Sequence, residues 1–230
     1  MARLPRLAVA ELPHLVRLAA HGGQAVFHDD QDRRQFLAAL RESALQHCAA
    51  VHAYVLLDDE VRLLLTPPLA AALGLTVQSL GRRYVAGFNR RHRRSGTLWA
   101  GRFRAAVVQP GAMARVAMLA IETLPVRRGL VPTAGEFAWS SVHHHLGTAR
   151  DPVVTVGQPY WDLGNTPFER EAAYRRLTDE GLNGAEWQRV EAAARTGWAL
   201  GDATFLSELA QTAGQPVAPR ARGRPRQTVD

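Results

Sequence analysis

The chain has 230 residues, 47% of them hydrophobic, which is enough to bury a core, and its formal net charge of +7 comes from arginine alone, with no lysine present. Its first twenty residues are interrupted by Pro5, Glu11, Pro13 and Arg17, which argues against a secretory or membrane-spanning segment, and the single Cys48 excludes an internal disulfide. The expectation is a soluble protein of a reducing, cytosolic compartment, with Cys48 buried on a helix.

In chain order, residues 13–20 read as a strand. Asp29, Asp30 and Asp32 then open a helix in which Phe36, Leu37, Leu40, Ala44 and Leu45 recur at helical spacing, and acids suit that N-terminus. Residues 51–57 and 61–66 are β-rich runs joined by Asp58-Asp59-Glu60, a hairpin pattern. A helix over 73–91, a strand over 104–109 and a helix over 112–124, stopped by Pro125, complete the order β-α-β-β-α-β-α. This predicts an α+β fold: a ferredoxin-like antiparallel sheet with helices on one face.

Past Trp139 the character changes. Residues 151–159 read as a connector to a helical C-terminal extension. Thr166 caps a helix with Pro167 at its first position, and further helices are expected over 185–195 and 202–211, with Trp187 and Trp198 packing among them. The domain reading is therefore 1–150, a helical extension over 151–212, and a basic tail over 213–230 with nothing to bury.

Charge is placed rather than spread. Residues 1–60 sum to −2, 61–121 to +10, 122–210 to −4 and 211–230 to +3. The segment 61–121 holds ten arginines and no acid. A genome rich in G and C favours Arg over Lys, but that bias does not remove every acid from one segment and leave them on both sides. Arg82, Arg83, Arg90, Arg91, Arg93, Arg94, Arg102 and Arg104 interleave with Tyr84, Phe88, Trp99 and Phe103. Guanidinium forks suit phosphates and aromatic faces suit unstacked bases, so the mixture predicts a nucleic-acid surface, with Tyr84, Trp99 and Phe103 as candidate stacking groups.

Several segments together resemble the REP-associated tyrosine transposases, relatives of single-strand transposases of the HUH (His-hydrophobe-His) type. The likeness is carried by His52-Ala53-Tyr54-Val55-Leu56-Leu57, Gly81-Arg82-Arg83-Tyr84-Val85, Phe88-Asn89-Arg90-Arg91-His92, Ser95 to Phe103, Pro125 to Val131 and Trp139-Ser140-Ser141. It covers residues 10–147, and Gly164-Asn165-Thr166-Pro167 and Gly197 to Gly201 resemble extensions of some members. The resemblance implies a ferredoxin-like domain, often a homodimer, that recognises DNA hairpins and cuts single-stranded DNA. A helix tyrosine attacks the phosphodiester, and a divalent metal held by two strand histidines and a polar side chain polarises it.

At the matching positions this chain carries Glu60 and Arg62 for the two histidines, Ala120 for the tyrosine and Leu124 for the third ligand. None is expected to work as a catalytic group. The leading expectation is therefore a bacterial, cytoplasmic DNA-binding protein, nucleoid-associated when bound to single-stranded or hairpin DNA, without strand cleavage, cofactor or metal. One alternative is an active transposase in which Asp58, Glu60 and Glu122 hold Mg²⁺ or Mn²⁺ and Tyr54 or Tyr84 attacks. Another is an RNA-hairpin binder.

His143-His144-His145 lacks metal-ligand spacing and reads as an exposed loop. The tail around Arg222-Gly223-Arg224-Pro225-Arg226 resembles an AT-hook, which implies contacts by Arg222, Arg224 and Arg226 in an A·T-rich minor groove.

Overall fold

A computed structural model describes residues 6–219, so Arg222, Arg224 and Arg226 lie outside the described residues. Four strands, β1 (His14–Ala19), β2 (Ala50–Leu56), β3 (Glu60–Thr66) and β4 (Arg104–Val107), form one sheet in the order β2-β3-β1-β4. All three pairings are antiparallel. With α1 (Asp30–Gln46) between β1 and β2 and α2 (Ala70–Arg91) between β3 and β4, this is the ferredoxin-like order expected from the sequence.

The α1 helix starts where the Asp29 carboxylate accepts the Asp32 amide at 3.1 Å, with Asp30 and Asp32 facing the positive end of the helix dipole. It ends at Gln46, and Cys48, two residues on, has a left-handed φ of 53° and is exposed, not buried as the helical pattern suggested. In α2, Leu73, Val77, Leu80, Tyr84 and Phe88 recur every three or four residues and bury one stripe. That stripe and Phe36 and Leu40 of α1 pack on the sheet face bearing Val16, Leu18, Val61 and Leu63.

The opposite sheet face presents Leu15, Ala53, Val55, Leu64 and Ala106. A bulge between Val51 and Ala53 lets β2 keep its apolar alternation on both faces. This second face is covered by α3 (Ala112–Glu122) and by the C-terminal helices. The latter follow three single-turn helices, α4 (Leu124–Arg127), α5 (Val142–His145) and α6 (Gln158–Trp161). They are α7 (Pro167–Glu180) and α8 (Gly184–Thr196), while α9 (Ala203–Thr212) packs in a separate cluster, with Leu209 against Leu7, Val107 and Val217. Capping boxes start α7 (Thr166 with Glu169) and α8 (Asn183 with Glu186).

Gly197 ends α8 at φ 82°, and a Cβ there would meet the Ala105 carbonyl oxygen at 3.2 Å, so glycine serves both the left-handed turn and the close approach to β4. Tyr174, Val190, Ala193 and Ala194 share one core with the sheet residues, so chain on both sides of residue 150 builds it. No described helix is long and apolar enough to cross a membrane.

Candidate nucleic-acid interface

The arginine-rich segment runs along the second half of α2, through a turn at residues 92–97, and back to the sheet, where Trp99 bridges to Ala20 before Arg102, Phe103 and Arg104 lead into β4. Its arginines fall into two classes. Arg83 meets Glu42 of α1 at 2.7 Å, and Arg91 is held by Asp29 and Asp32, each at 2.5 Å. Both are tied to α1. Arg82, Arg90, Arg93, Arg94, Arg102 and Arg104 have no carboxylate within ion-pair distance among the described residues. Arg82 donates a hydrogen bond to Gln78 at 3.3 Å, and Arg94 lies 5.5 Å over the Phe88 ring.

Tyr84 and Trp99, candidates for base stacking, are instead core residues, 2% and 8% exposed. The Tyr84 ring is surrounded by Phe27, Phe36, Phe88 and Trp99, and its hydroxyl donates to the Val26 carbonyl. Neither offers an open face to a base. The helical spacing of Tyr84 with Leu80 and Phe88 carried that information in the sequence. Phe103 is half-buried, with the Arg6 guanidinium 3.7 Å over its ring.

Arg6 was not singled out from the sequence, nor were Arg17 and Arg195. These three join Arg102 and Arg104 around a cleft of about 810 Å³ that has no acid in its wall. Burial lowers the Arg6 pKa, and the neighbouring charges of Arg102 and Arg104 lower it further. Like charges pressed together in this way lower the free energy of any anion that enters.

On the sheet face opposite α1 and α2, the positions expected to be degenerate are closed. Glu60 and Arg62 alternate to the same face of β3 and are 1% and 2% exposed. The Glu60 carboxylate takes Arg62 Nε at 2.5 Å, Arg17 at 2.6 Å from β1 and Arg128 at 3.2 Å. Arg62 in turn reaches Glu191 of α8 at 2.8 Å. Burial raises the Glu60 pKa, but the Arg62 and Arg17 charges outweigh it and hold the carboxyl below its ordinary value. Ala120 and Leu124 are buried among apolar neighbours.

The rearranged carboxylate site does not assemble. Asp58 pairs with Arg33, Glu60 with its three arginines, and Glu122 is bound by Tyr174 at 2.5 Å, His145 at 2.8 Å and Ser141. The two candidate nucleophiles are also engaged. Tyr54 donates to Asp151 at 2.5 Å, and burial raises the pKa of both Tyr54 and Tyr84, with Asp151 adding to the effect at Tyr54. Among the three consecutive histidines, His145 is buried against Glu122 rather than lying in an exposed loop, while His143 bonds the Phe137 carbonyl.

One cluster that the sequence did not suggest lies at the joint of α1 and α2. There His28, Asp32 and His92 each offer a ligand atom, all within 4.8 Å of one another.

No family model matches the chain, and no curated protein matches it. Among solved structures it is similar to a REP-associated tyrosine transposase bound to a REP hairpin, with a TM-score of 0.52 and 15% identity over 69% of this chain and 93% of that one. At that identity the likeness establishes the fold. A protein assigned as a transposase in Deinococcus radiodurans is similar at a TM-score of 0.36 and 22% identity, over 47% of this chain and 88% of that one.

Proposed function

We propose that this chain is a transposase-derived DNA-binding protein that holds hairpin or single-stranded DNA through its unpaired arginines and does not cut the strand. The observation that carries this reading is the Glu60-Arg62-Glu191 ion-pair chain. A guanidinium 2% exposed stands where the resemblance calls for a metal-binding histidine, and it is fixed between two carboxylates. A cation at that position repels the metal that would polarise a phosphate, and Ala120 supplies no nucleophile.

Binding chemistry is still present. Six arginines without carboxylate partners and the cleft walled by Arg6, Arg17, Arg102, Arg104 and Arg195 suit a phosphate backbone. The solved relative in fold carries a REP hairpin, which makes hairpin DNA the first ligand to test.

The test compares a DNA hairpin with an unpaired flank, the same stem without the flank, a random duplex and an RNA hairpin at several salt concentrations. Each is then incubated with Mg²⁺ or Mn²⁺. The expected result is tightest binding to the flanked DNA hairpin, with all strands intact. Tighter binding to RNA would replace DNA as the ligand. Metal-dependent cleavage with an adduct mapped to a tyrosine would overturn the non-cutting reading.

A further inference from the structure

We propose that His28, Asp32 and His92 form a site for one divalent transition-metal ion of the zinc class, joining the start of α1 to the end of α2. Asp32 lies in the first turn of α1, His28 just before that helix, and His92 is the residue that ends α2. His92 Nε2 is 3.0 Å from both Asp32 carboxylate oxygens, and the His28 and His92 rings have centroids 4.4 Å apart. The backbone N–H of His28 donates to Asp32 at 2.9 Å, which anchors His28 beside the carboxylate. Its ring nitrogens carry no hydrogen bond among the described residues and are free to turn inward.

Charge permits a cation despite the adjacent Arg91. That guanidinium is shared between Asp32 and Asp29, each at 2.5 Å, so the three groups together keep one negative charge. Arg91 Nη1 also lies 3.4 Å from His92 Nε2, a contact the ion would displace, leaving Arg91 as an outer partner that orients the Asp32 carboxylate, whose two oxygens have lone pairs left to give.

Two imidazoles and one carboxylate are a zinc donor set with a fourth position open. Nitrogen donors favour zinc, cobalt or nickel over magnesium. Tetrahedral zinc places its ligand atoms roughly 3.3 Å apart. The observed spread of 4.8 Å therefore closes with a small rotation of the exposed His28 ring. The ion replaces the hydrogen bond between His92 Nε2 and Asp32, with the neutral imidazole carrying its proton on Nδ1 so that the Nε2 lone pair faces the ion. Because Arg93 and Arg94 follow His92 directly, the ion would anchor the arginine turn to α1.

The test uses tag-free, chelator-stripped full-length protein. Co²⁺ is titrated against visible absorption, Zn²⁺ is added in competition, and stoichiometry is read by equilibrium dialysis. The expected result is one ion per chain with low-symmetry cobalt absorption that zinc abolishes, and a melting temperature that rises with zinc. His28→Ala and His92→Ala should each weaken binding at least tenfold, whereas the exposed His21→Ala should leave it unchanged. His28→Ala tests the site without disturbing the fold, because its ring is exposed. Unchanged affinity in His28→Ala, or no saturable binding in the unmodified chain, overturns the proposal.

Discussion

His14 has both ring nitrogens occupied inside the protein: Nδ1 bonds the Leu12 carbonyl at 2.8 Å and Nε2 accepts the Val9 amide at 3.2 Å. Burial lowers its pKa to about 4 from 6.5, outweighing the opposite pull of the Leu12 carbonyl. A histidine neutral in the fold but protonated when unfolded supports folding fully above pH 6.5. That support is lost as pH falls from 6.5 to about 4, and the full loss is about 3 kcal/mol. Urea midpoints at several pH values should follow this decline in the unmodified chain and flatten in His14→Gln.

Glu60 acts in a lower window. Its carboxyl is held below 4.5, so its support is present above that pH and disappears as pH drops through the folded value. Glu60→Ala leaves the buried Arg62 with Glu191 as its one remaining carboxylate among the described residues and should cost about 3–5 kcal/mol in denaturant unfolding, whereas Glu60→Ala with Arg62→Met should recover most of it. A double variant no more stable than the single one would show that the ion pair is not the main partner of either group.

Element by element, the helices and strands were legible because their signals are local. Apolar spacing, Asp29 before α1 and Pro167 inside α7 set observed boundaries within a few residues of those expected. Local signals do not say which surface an element covers. The sequence assigned α7 and α8 to an extension, but Tyr174, Val190 and Ala193 pack against Leu15, Leu64 and Ala106 of the sheet. Glu191, which closes on Arg62, lies 129 positions beyond it in the chain, and nothing at either position announces the other. His28 and His92 meet for the same reason, through the packing of α1 on α2.

A chain ending at residue 150 therefore keeps α3 over β2 and β3 but uncovers the apolar part of that sheet face on β1 and β4 that α8 covers. It should aggregate or lack a cooperative melting transition, while a chain ending at residue 219 should unfold as sharply as the full one. A cooperative, monomeric 1–150 fragment would make the extension a separate unit.

Across the whole molecule, the unpaired and paired arginines should behave differently towards DNA. Neutralising Arg90, Arg93, Arg102 or Arg104 to Gln should weaken hairpin binding and lower the slope of log affinity against log salt by roughly 0.7–0.9 for each phosphate that is no longer neutralised. Arg91→Gln should instead act on stability, since it releases Asp29 from α2 and leaves Asp32 held there through His92. Equal slopes in the unmodified chain and in the combined Arg90, Arg93, Arg102 and Arg104 variant would move the interface elsewhere.

On the proposed non-cutting reading, the barrier to cleavage is also set by the whole molecule, because α8 packs on the sheet face that carries Glu60 and Arg62. Restoring Glu60→His, Arg62→His, Ala120→Tyr and Leu124→Asn supplies the family's groups. It leaves them under a helix whose Glu191 reaches within 2.8 Å of the Arg62 guanidinium, at positions 2% exposed or less in the unmodified chain. A metal with open coordination positions and a DNA phosphate cannot both enter a site packed that closely. The four-fold variant should therefore show no Mn²⁺-dependent nicking, and activity should need further changes in α8 that open the face. Nicking by the four-fold variant alone, with the adduct on the introduced tyrosine, would show that the substituted residues were the sole barrier and that α8 moves aside.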